Sequence, residues 1–546
     1  MLHGRLLQLG AQLFCARGEG NEQHPEGFSG GFRDWIVDLK ESLLRHFPLP
    51  PDTSIIGEGE FLEPKWILTT NDASAISRSG GHGLVDRSAK ITMSNGNGQV
   101  FHEGLDDLAD ASVSEGLPDD RLIPVRGSHV ASIRANARIT PTAHWQDVRL
   151  MELTVEKQIQ YGPGAVAVIY PKNFHHDVDA FLSLMDWQPV ADVPLRLALS
   201  ERARKSENLS PSPLRDIDME ACAMTLRTLL TNHLDILSIP RRSFFASLAY
   251  FTKSGDEDEA YQQERILELA NPELIDELWD YTTRPRRTIL EVLPDFPSVK
   301  IPWQYALSVL PIMRGRQFSI ASGGPLKSSS PGDTRIQLLV AIANPPNPII
   351  KYRKRHGVCT RYIASLKAGQ QINVGIQQGY LDVQPEEARS PVILIGPGTG
   401  VAPLRSMIYE RLRWSQQSRG STETEWLFDT LLFFGCRNRD ADYFFADEWK
   451  DLVTNGLEVF TAFSRDNDGL PNYVQDQLLK QSNLVYNHLQ NRDSKVYVCG
   501  SSGNMPKGVR QALVDIVQEQ SGCDEAQAEA YLDKMEKAGR YKQETW

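Results

Sequence analysis

The spacing of apolar positions changes character several times along this chain. Residues 2–9 have helical spacing, 13–16 form a short apolar stretch, and 32–46 repeat apolar residues every three or four positions. The last pattern predicts an amphipathic helix, stopped by Pro48, Pro50 and Pro51. From 51 to 120 apolar clusters are few and Gly, Ser and Asp abound, which predicts a linker. Alternation then takes over at 135–140, 147–154 and 165–169, the mark of antiparallel strands. Residues 177–279 read as mostly helical, as at 221–237 and 258–269, before strand-like runs return at 317–321 and 337–343. A helical block that interrupts alternating strands is an insertion into a β-barrel. Beyond 391, short apolar runs at 392–395, 430–435, 457–463 and 495–499 alternate with helical spacing, a doubly wound parallel α/β pattern.

The bulk properties narrow the partners. With 546 residues the chain is too long for one core. A net charge of −12 argues against nucleic-acid binding and suits docking of a basic partner. Cys15, Cys222, Cys359, Cys436, Cys499 and Cys523 lack paired metal-ligand spacing, so no metal site is expected and a reducing compartment is. No apolar run is long enough to span a bilayer, and the N-terminal apolar stretch is broken by Arg5 and Gln8, unlike a signal peptide. A soluble cytoplasmic protein is expected.

Four segments carry chemistry. The first is P-V-I-L-I-G-P-G-T-G-V-A-P-L-R at 391–405: a buried strand, a turn built on Gly396, Gly398 and Gly400, and a helix N-terminus. Such a turn points backbone N–H groups at a phosphate and lets it approach closely, although purely structural glycine turns have the same form. The second is Arg316-Gln317-Phe318-Ser319. Arg offers a fixed charge to a pyrophosphate, the aromatic packs on a flat ring, and the hydroxyl reaches a ring nitrogen. An ordinary alternating strand reads the same way. The third is Gly357-Val358-Cys359-Thr360 before a helix at 361–366, either a phosphate-binding N-terminus or a simple cap with Thr360 as the capping residue. The fourth pairs V-Y-V-C-G at 496–500 with Y-K-Q-E-T-W at 541–546, where a terminal Trp suggests a packed site.

R-Q-F-S, G-V-C-T, G-P-G-T-G and E-T-W, in this order, resemble the ferredoxin–NADP reductase module of diflavin reductases, over about 122–546. R-P-R-R-T-I-L-E-V-L at 284–293, H-W-Q-D-V-R at 144–149 and R-Q-F-S-I-A-S at 316–322 are most similar to the NADPH-dependent diflavin oxidoreductases of cytosolic iron–sulfur protein assembly. The resemblance implies an FAD-binding antiparallel barrel at 121–385 with a helical insertion at about 176–290, then an NADPH-binding domain at 386–546. It implies electron transfer from NADPH through FAD, and FMN in a complete chain, to the iron–sulfur protein anamorsin, in the cytoplasm and also the mitochondrion. It assigns FAD binding to Arg284, Arg316, Gln317, Phe318, Ser319, Gly357, Val358, Cys359 and Thr360. Trp546 covers the flavin. NADPH falls to Thr399 in the Gly-rich turn, to Ser464 and Arg465, the pair that grips the 2′-phosphate, and to Pro471, Asn472, Tyr473, Val474 and Gln475. Ser319, Cys499 and Glu544, with Trp546, line the site of electron exchange.

Two departures stand out. In S-R-D-N-D-G-L-P-N-Y-V-Q, Pro471 stands near the position where the family has a Lys, with Lys480 as a candidate substitute. Residues 1–50 resemble only the last third of a flavodoxin-like FMN domain, with Glu22 at an FMN-contacting position and 51–120 as the linker. The expectation is a truncated FMN domain whose phosphate loop is missing. A cytochrome P450 or sulfite reductase-type flavoprotein, and a degenerate scaffold without activity, are the alternatives.

Overall fold

The computed structural model describes residues 2–18, 20, 29–50, 55, 60–70, 117–118, 120–204, 211–217, 223–328, 330–344, 349–350, 355–418, 426–427, 429–466 and 472–546. They belong to two units, Met1–Glu63 and Pro64–Trp546. The first holds the helices Leu2–Gln8 and Ser29–His46. The Trp35 indole N–H donates to the Ala16 carbonyl at 2.7 Å, and Gly18 lies so close to that ring that a Cβ would come within 2.6 Å of it. Glu22 and Pro471 lie outside the described residues.

The second unit carries the strands β1 (Trp66–Thr70), β2 (Ser128–Arg138), β3 (Val148–Val155), β4 (Val166–Ile169), β5 (Leu195–Leu199), β6 (Arg316–Ser319), β7 (Thr334–Ala341), β8 (Gln371–Gln377), β9 (Val392–Ile395), β10 (Thr430–Cys436), β11 (Leu457–Phe463), β12 (Lys495–Gly500) and β13 (Tyr541–Thr545). Six of them form an antiparallel sheet in the order β6-β4-β8-β2-β3-β7. A bridge between Ile320 and Leu338 joins its two ends, so the sheet is a nearly closed barrel. Ala131, Ile133, Met151, Leu153, Ala167 and Val374 fill its interior. Five strands form a parallel sheet, β11-β10-β9-β12-β13. All four residues of β9 are buried, as a strand covered on both faces requires.

The insertion between β4 and β6 has its own core around Leu226, Leu229, Leu230, Phe245 and Ile289. Three expectations need correction here. Within the stretch read as linker, Trp66–Thr70 is a strand paired antiparallel with β5, and Leu68 is fully buried in the insertion core. Its polar surroundings hid a five-residue β-rich run. β5 itself is a strand inside a block read as helical. The helix expected over 221–237 spans only Leu226–Asn232, because the next residues leave it to bond the chain before β6.

The barrel and the parallel sheet are held together through the helix Val401–Ser418, which follows the Gly-rich turn. Gly323 and Gly324 lie flat against it: a Cβ on Gly323 would come within 1.9 Å of the Ser406 carbonyl oxygen, and one on Gly324 within 2.3 Å of that of Tyr409. Arg405, 2% exposed, donates to the Ala321 carbonyl at 2.8 Å and to Gln337 Oε1 at 2.9 Å, both on the barrel. Its other edge makes a bidentate pair with Glu448 at 2.7 and 2.8 Å. The buried Glu410 accepts from Gly324 N–H at 2.6 Å and pairs with Lys327.

A methyl at this seam has no room against backbone atoms, so Gly323→Ala is expected to lower unfolding stability by about 1–3 kcal/mol. Gly162→Ala, at a glycine with open space around it, serves as the control and is expected to change little. Urea unfolding of the two variants beside the parent checks this.

Candidate active site at the edge of the parallel sheet

Every strand of the parallel sheet ends on the same edge, where a doubly wound fold binds its ligand. The Gly-rich turn leaves β9 there, with Thr399 at its centre. Gly400 has to be glycine, because a Cβ would come within 2.1 Å of the Cys499 carbonyl oxygen. Gly398 has φ +58°. These two positions let the turn lie directly on β12.

At the end of β11, Ser464 N–H bonds the Cys436 carbonyl at 3.0 Å and Arg465 N–H bonds the Arg437 carbonyl at 2.8 Å. The exits of β10 and β11 are thereby stitched together, bringing Arg437 beside Arg465. Arg437 also lies over the half-exposed ring of Trp145, 3.7 Å from its centre, and Trp145 belongs to the β2–β3 connection of the barrel. The Arg437 guanidinium is pulled below its ordinary value by burial first and by the Arg465 charge second. Two adjacent cations in this state suit a dianionic phosphate.

The expected substitute Lys480 is exposed at the far end of the helix Val474–Lys480, roughly 9 Å along its axis from the first residue. Arg437 is the additional cation next to Arg465, and reading the sequence by motif missed it. The signal was the G-C-R exit of a strand adjacent and parallel to the one ending in S-R. Tyr473 caps the Val474–Lys480 helix, with its N–H on Asp476 at 2.7 Å, and Val474 is buried beneath it. Gln475 packs near Gly508, and Asn472 has a buried Oδ1 without a partner.

On the other flank, β12 and β13 pair in parallel with Cys499 opposite Glu544. The terminal residues, expected as a packed site, are thus the fifth strand of the sheet. Ser319, at the end of β6, donates its hydroxyl to Glu544 Oε1 at 2.9 Å across the domain seam. Glu544 Oε2 is buried without a partner. Burial raises the Glu544 carboxyl above its ordinary value, and the Ser319 bond opposes the rise. Burial, and next the Glu544 charge, push the fully buried Cys499 thiol well up, so it stays protonated near neutral pH. Trp546 is held by its backbone, N–H to the Gly500 carbonyl at 3.1 Å and carbonyl to Ser502 N–H at 3.0 Å, while its ring is half-exposed.

Phe318 packs on the barrel interior, and Gln317 bonds Gln377 on the outer face at 3.0 Å. Arg316 faces Asp235 at 3.5 Å, and its charge acts on the buried Cys359 thiol, which burial pushes up to about 12. R-Q-F-S and G-V-C-T therefore meet. The helix Val358–Ser365 opens with Gly357 as its cap, which corrects the capping role expected of Thr360. Thr360 is the third helical residue; its hydroxyl accepts from Ala343 N–H at 3.0 Å and donates to the Gly357 carbonyl at 3.3 Å. The N–H groups of Val358, Cys359 and Thr360 begin a helix and have no acceptor within it. Together with Arg316 they fit the pyrophosphate of a flavin dinucleotide. Arg284 pairs with Asp280, one helical turn before it, and at 3.5 Å with Asp276, two turns before it, and its neighbour Pro285 accepts from Arg355 at 3.3 Å.

Comparison with known proteins agrees with this geometry. The FAD binding domain family matches residues 125–362, and the oxidoreductase NAD-binding domain family matches 394–511. NADPH-dependent diflavin oxidoreductase 1 of Aspergillus fumigatus is 43% identical over 553 residues, covering 100% of this chain and 81% of that protein. The chain belongs to this family. Its namesakes in Saccharomyces cerevisiae and Schizosaccharomyces pombe are 38% and 34% identical, each covering 100% of this chain and 81% of its own length. The protein is an NADPH-dependent flavoprotein oxidoreductase with FAD and NADPH as its cofactors. Among the described residues no helix is long and apolar enough to cross a membrane.

Burial of the Glu544 carboxyl, opposed by the Ser319 bond, sets a pH dependence. The folded carboxyl titrates above its unfolded value, so the associated stability is full below the unfolded value and is lost as pH rises through the folded one. Ser319→Ala removes the bond that favours the carboxylate, which moves this titration to higher pH. Electron transfer from NADPH to the flavin, followed by stopped flow across pH 5–9, is expected to show its inflection displaced upward in Ser319→Ala and absent in Glu544→Gln. An unmoved inflection would assign it to another group.

Proposed function

We propose that this reductase passes electrons from NADPH, through FAD and an FMN exit, to an anamorsin-like iron–sulfur protein serving cytosolic iron–sulfur cluster assembly. The observation that carries the electron path is the Ser319–Glu544 bond, which joins the flavin strand of the barrel to the nicotinamide edge of the parallel sheet. The choice of acceptor is supported by the stretches at 284–293, 144–149 and 316–322, which resemble the iron–sulfur assembly branch of the diflavin reductases. The cytoplasm, with the mitochondrion as a second site, is the compartment we assign on the same resemblance.

When bound, FAD accepts the hydride of NADPH and delivers electrons onward singly. The residues of the chain bind and orient. Arg465 and Arg437 would hold the 2′-phosphate, Thr399 and the glycine turn the pyrophosphate of NADPH, and the half-exposed Trp546 ring would shield the flavin. The Ser319 hydroxyl, donating to Glu544, would hold that carboxylate in place for the hydride exchange, with the neutral Cys499 thiol buried beside Glu544 on the paired strand. None of them is a covalent nucleophile.

Arg465→Ala removes one charge-assisted contact and is expected to weaken NADPH by about 1.5–3 kcal/mol while leaving NADH nearly unchanged. Equal losses for both cofactors, measured by titration, would remove Arg465 from the 2′-phosphate site. The acceptor is tested by mixing NADPH and protein carrying both flavins with a purified, oxidised anamorsin-like protein and following bleaching of its clusters. Clusters that stay oxidised while a P450 or a sulfite reductase is reduced would transfer the chain to that other branch.

A further inference from the structure

We propose that Asp235, on the helical insertion, is the positioning residue that aims Arg316 at the pyrophosphate of FAD. The proposal rests on the reading of Arg316 as a pyrophosphate ligand.

Asp235 lies where the insertion returns to the barrel. After the helix Leu226–Asn232 the chain runs antiparallel to the segment that enters β6. Met313 N–H bonds the His233 carbonyl at 2.7 Å, Asp235 N–H bonds the Pro311 carbonyl at 2.8 Å, and Leu234 bridges Ile312. The other side of this segment is also fixed. Leu290 N–H reaches the Ile236 carbonyl at 3.1 Å, and Asn173 Nδ2 reaches that of Leu234 at 2.8 Å. The Ser238 hydroxyl donates to the Asp235 carbonyl at 2.9 Å. The backbone that carries the carboxylate is therefore tied to three parts of the fold, one of them the root of the flavin strand.

The side chain itself is poorly suited to a packing role. Asp235 is 6% exposed, its Oδ1 is buried with no partner, and its Oδ2 faces Arg316 Nη2 at 3.5 Å. Burial raises the carboxyl, with the Arg316 charge as the largest opposing effect. The backbone N–H groups of Leu237 and Ser238 favour the carboxylate as well, and a buried carboxylate still destabilises a fold relative to a well-packed neutral group. What it supplies is direction. The Asp235 carboxylate and the Arg314 carbonyl hold the two terminal nitrogens of Arg316 from one side. The guanidinium is also near enough for its charge to act on Cys359 in the first turn of the Val358–Ser365 helix. Arg has five N–H donors in a rigid fork, so fixing two of them orients the rest. On this reading the insertion contributes to flavin binding and is more than a spacer between two halves of the barrel.

The test measures FAD affinity of the deflavinated full-length chain by quenching of flavin fluorescence, for the parent, Asp235→Asn, Arg316→Met and the double variant, with apo-protein melting recorded for each. Asp235→Asn is expected to weaken FAD about tenfold, the loss of one oriented charge-assisted contact. Its apo-protein is expected to melt no lower than the parent, since a buried charge has been removed. On the Arg316→Met background the same change is expected to have no further effect. Asp235→Glu, which keeps the charge, is expected to recover part of the affinity and covers the case in which the Asn variant does not fold. Parental FAD affinity in Asp235→Asn, an undiminished loss on the Arg316→Met background, no recovery with Glu, or melting that falls in step with affinity would each overturn the proposal. Unchanged affinity in Arg316→Met alone would overturn the reading of Arg316 beneath it.

Discussion

The relation between the two halves of the catalytic unit depends on how closely the helix Val401–Ser418 can lie on the barrel. Two consecutive glycines, Gly323 and Gly324, set that closeness, because no side chain fits between them and the helix backbone. Close approach buries polar groups, and these must be satisfied or the seam opens. Arg405 meets the requirement with four hydrogen bonds divided between Glu448 on its own domain and Ala321 and Gln337 on the barrel. Glu410, Lys327 and Ser406 complete the set, the last donating to the Ser322 carbonyl at 2.9 Å. The residues bonded here, Ala321 and Ser322, directly follow the flavin strand, and Arg405 lies in the first helical turns after the phosphate turn. A shift at this seam is therefore passed on to the active site with little attenuation, and the 2.9 Å Ser319–Glu544 bond is its most sensitive product.

How much of this was legible in the sequence follows from burial. β9, β10 and β12 are covered on both faces, so V-I-L-I, T-L-L-F-F-G-C and K-V-Y-V-C-G announce themselves as apolar runs. β13 is an edge strand, and Y-K-Q-E-T has no such signature; only its pairing with β12 makes it a strand. β1, from the stretch read as linker, and β5, from the insertion, form a two-stranded sheet whose five-residue runs were outweighed by polar neighbours and helical spacing. The site divides in the same way. Ser319, Glu544 and Cys499 were found because each belongs to a motif with its own spacing. Arg437 belongs to no such motif, and its role depends on the fact that β10 and β11 are neighbours. Arg284, picked out by motif, pairs with acidic residues one and two helical turns before it, pairings that its motif alone did not announce.

The sheet edge also favours one direction for an extended dinucleotide. From β11 to β13 the order β11-β10-β9-β12-β13 crosses four strand intervals, about 19 Å at about 4.8 Å each, room for an extended dinucleotide. At one end stand Arg437 and Arg465, next to each other and both cationic. In the middle, the glycine turn offers N–H groups and the positive end of the Val401–Ser418 helix. At the far end stand a buried carboxyl, a hydroxyl and a neutral thiol, with no cation among the expected site residues there. A phosphate placed at that end would face Glu544 in a dry environment, where like charges repel most strongly. A positively charged ring placed at the other end would face two guanidiniums. Binding in reverse is thus opposed at both ends by charge, and the selection operates although the chain as a whole carries a net charge of −12. Local placement decides the direction here: two guanidiniums stand side by side at one end, with Asp442 near Arg437, and at the other end stands a carboxyl whose titration burial raises.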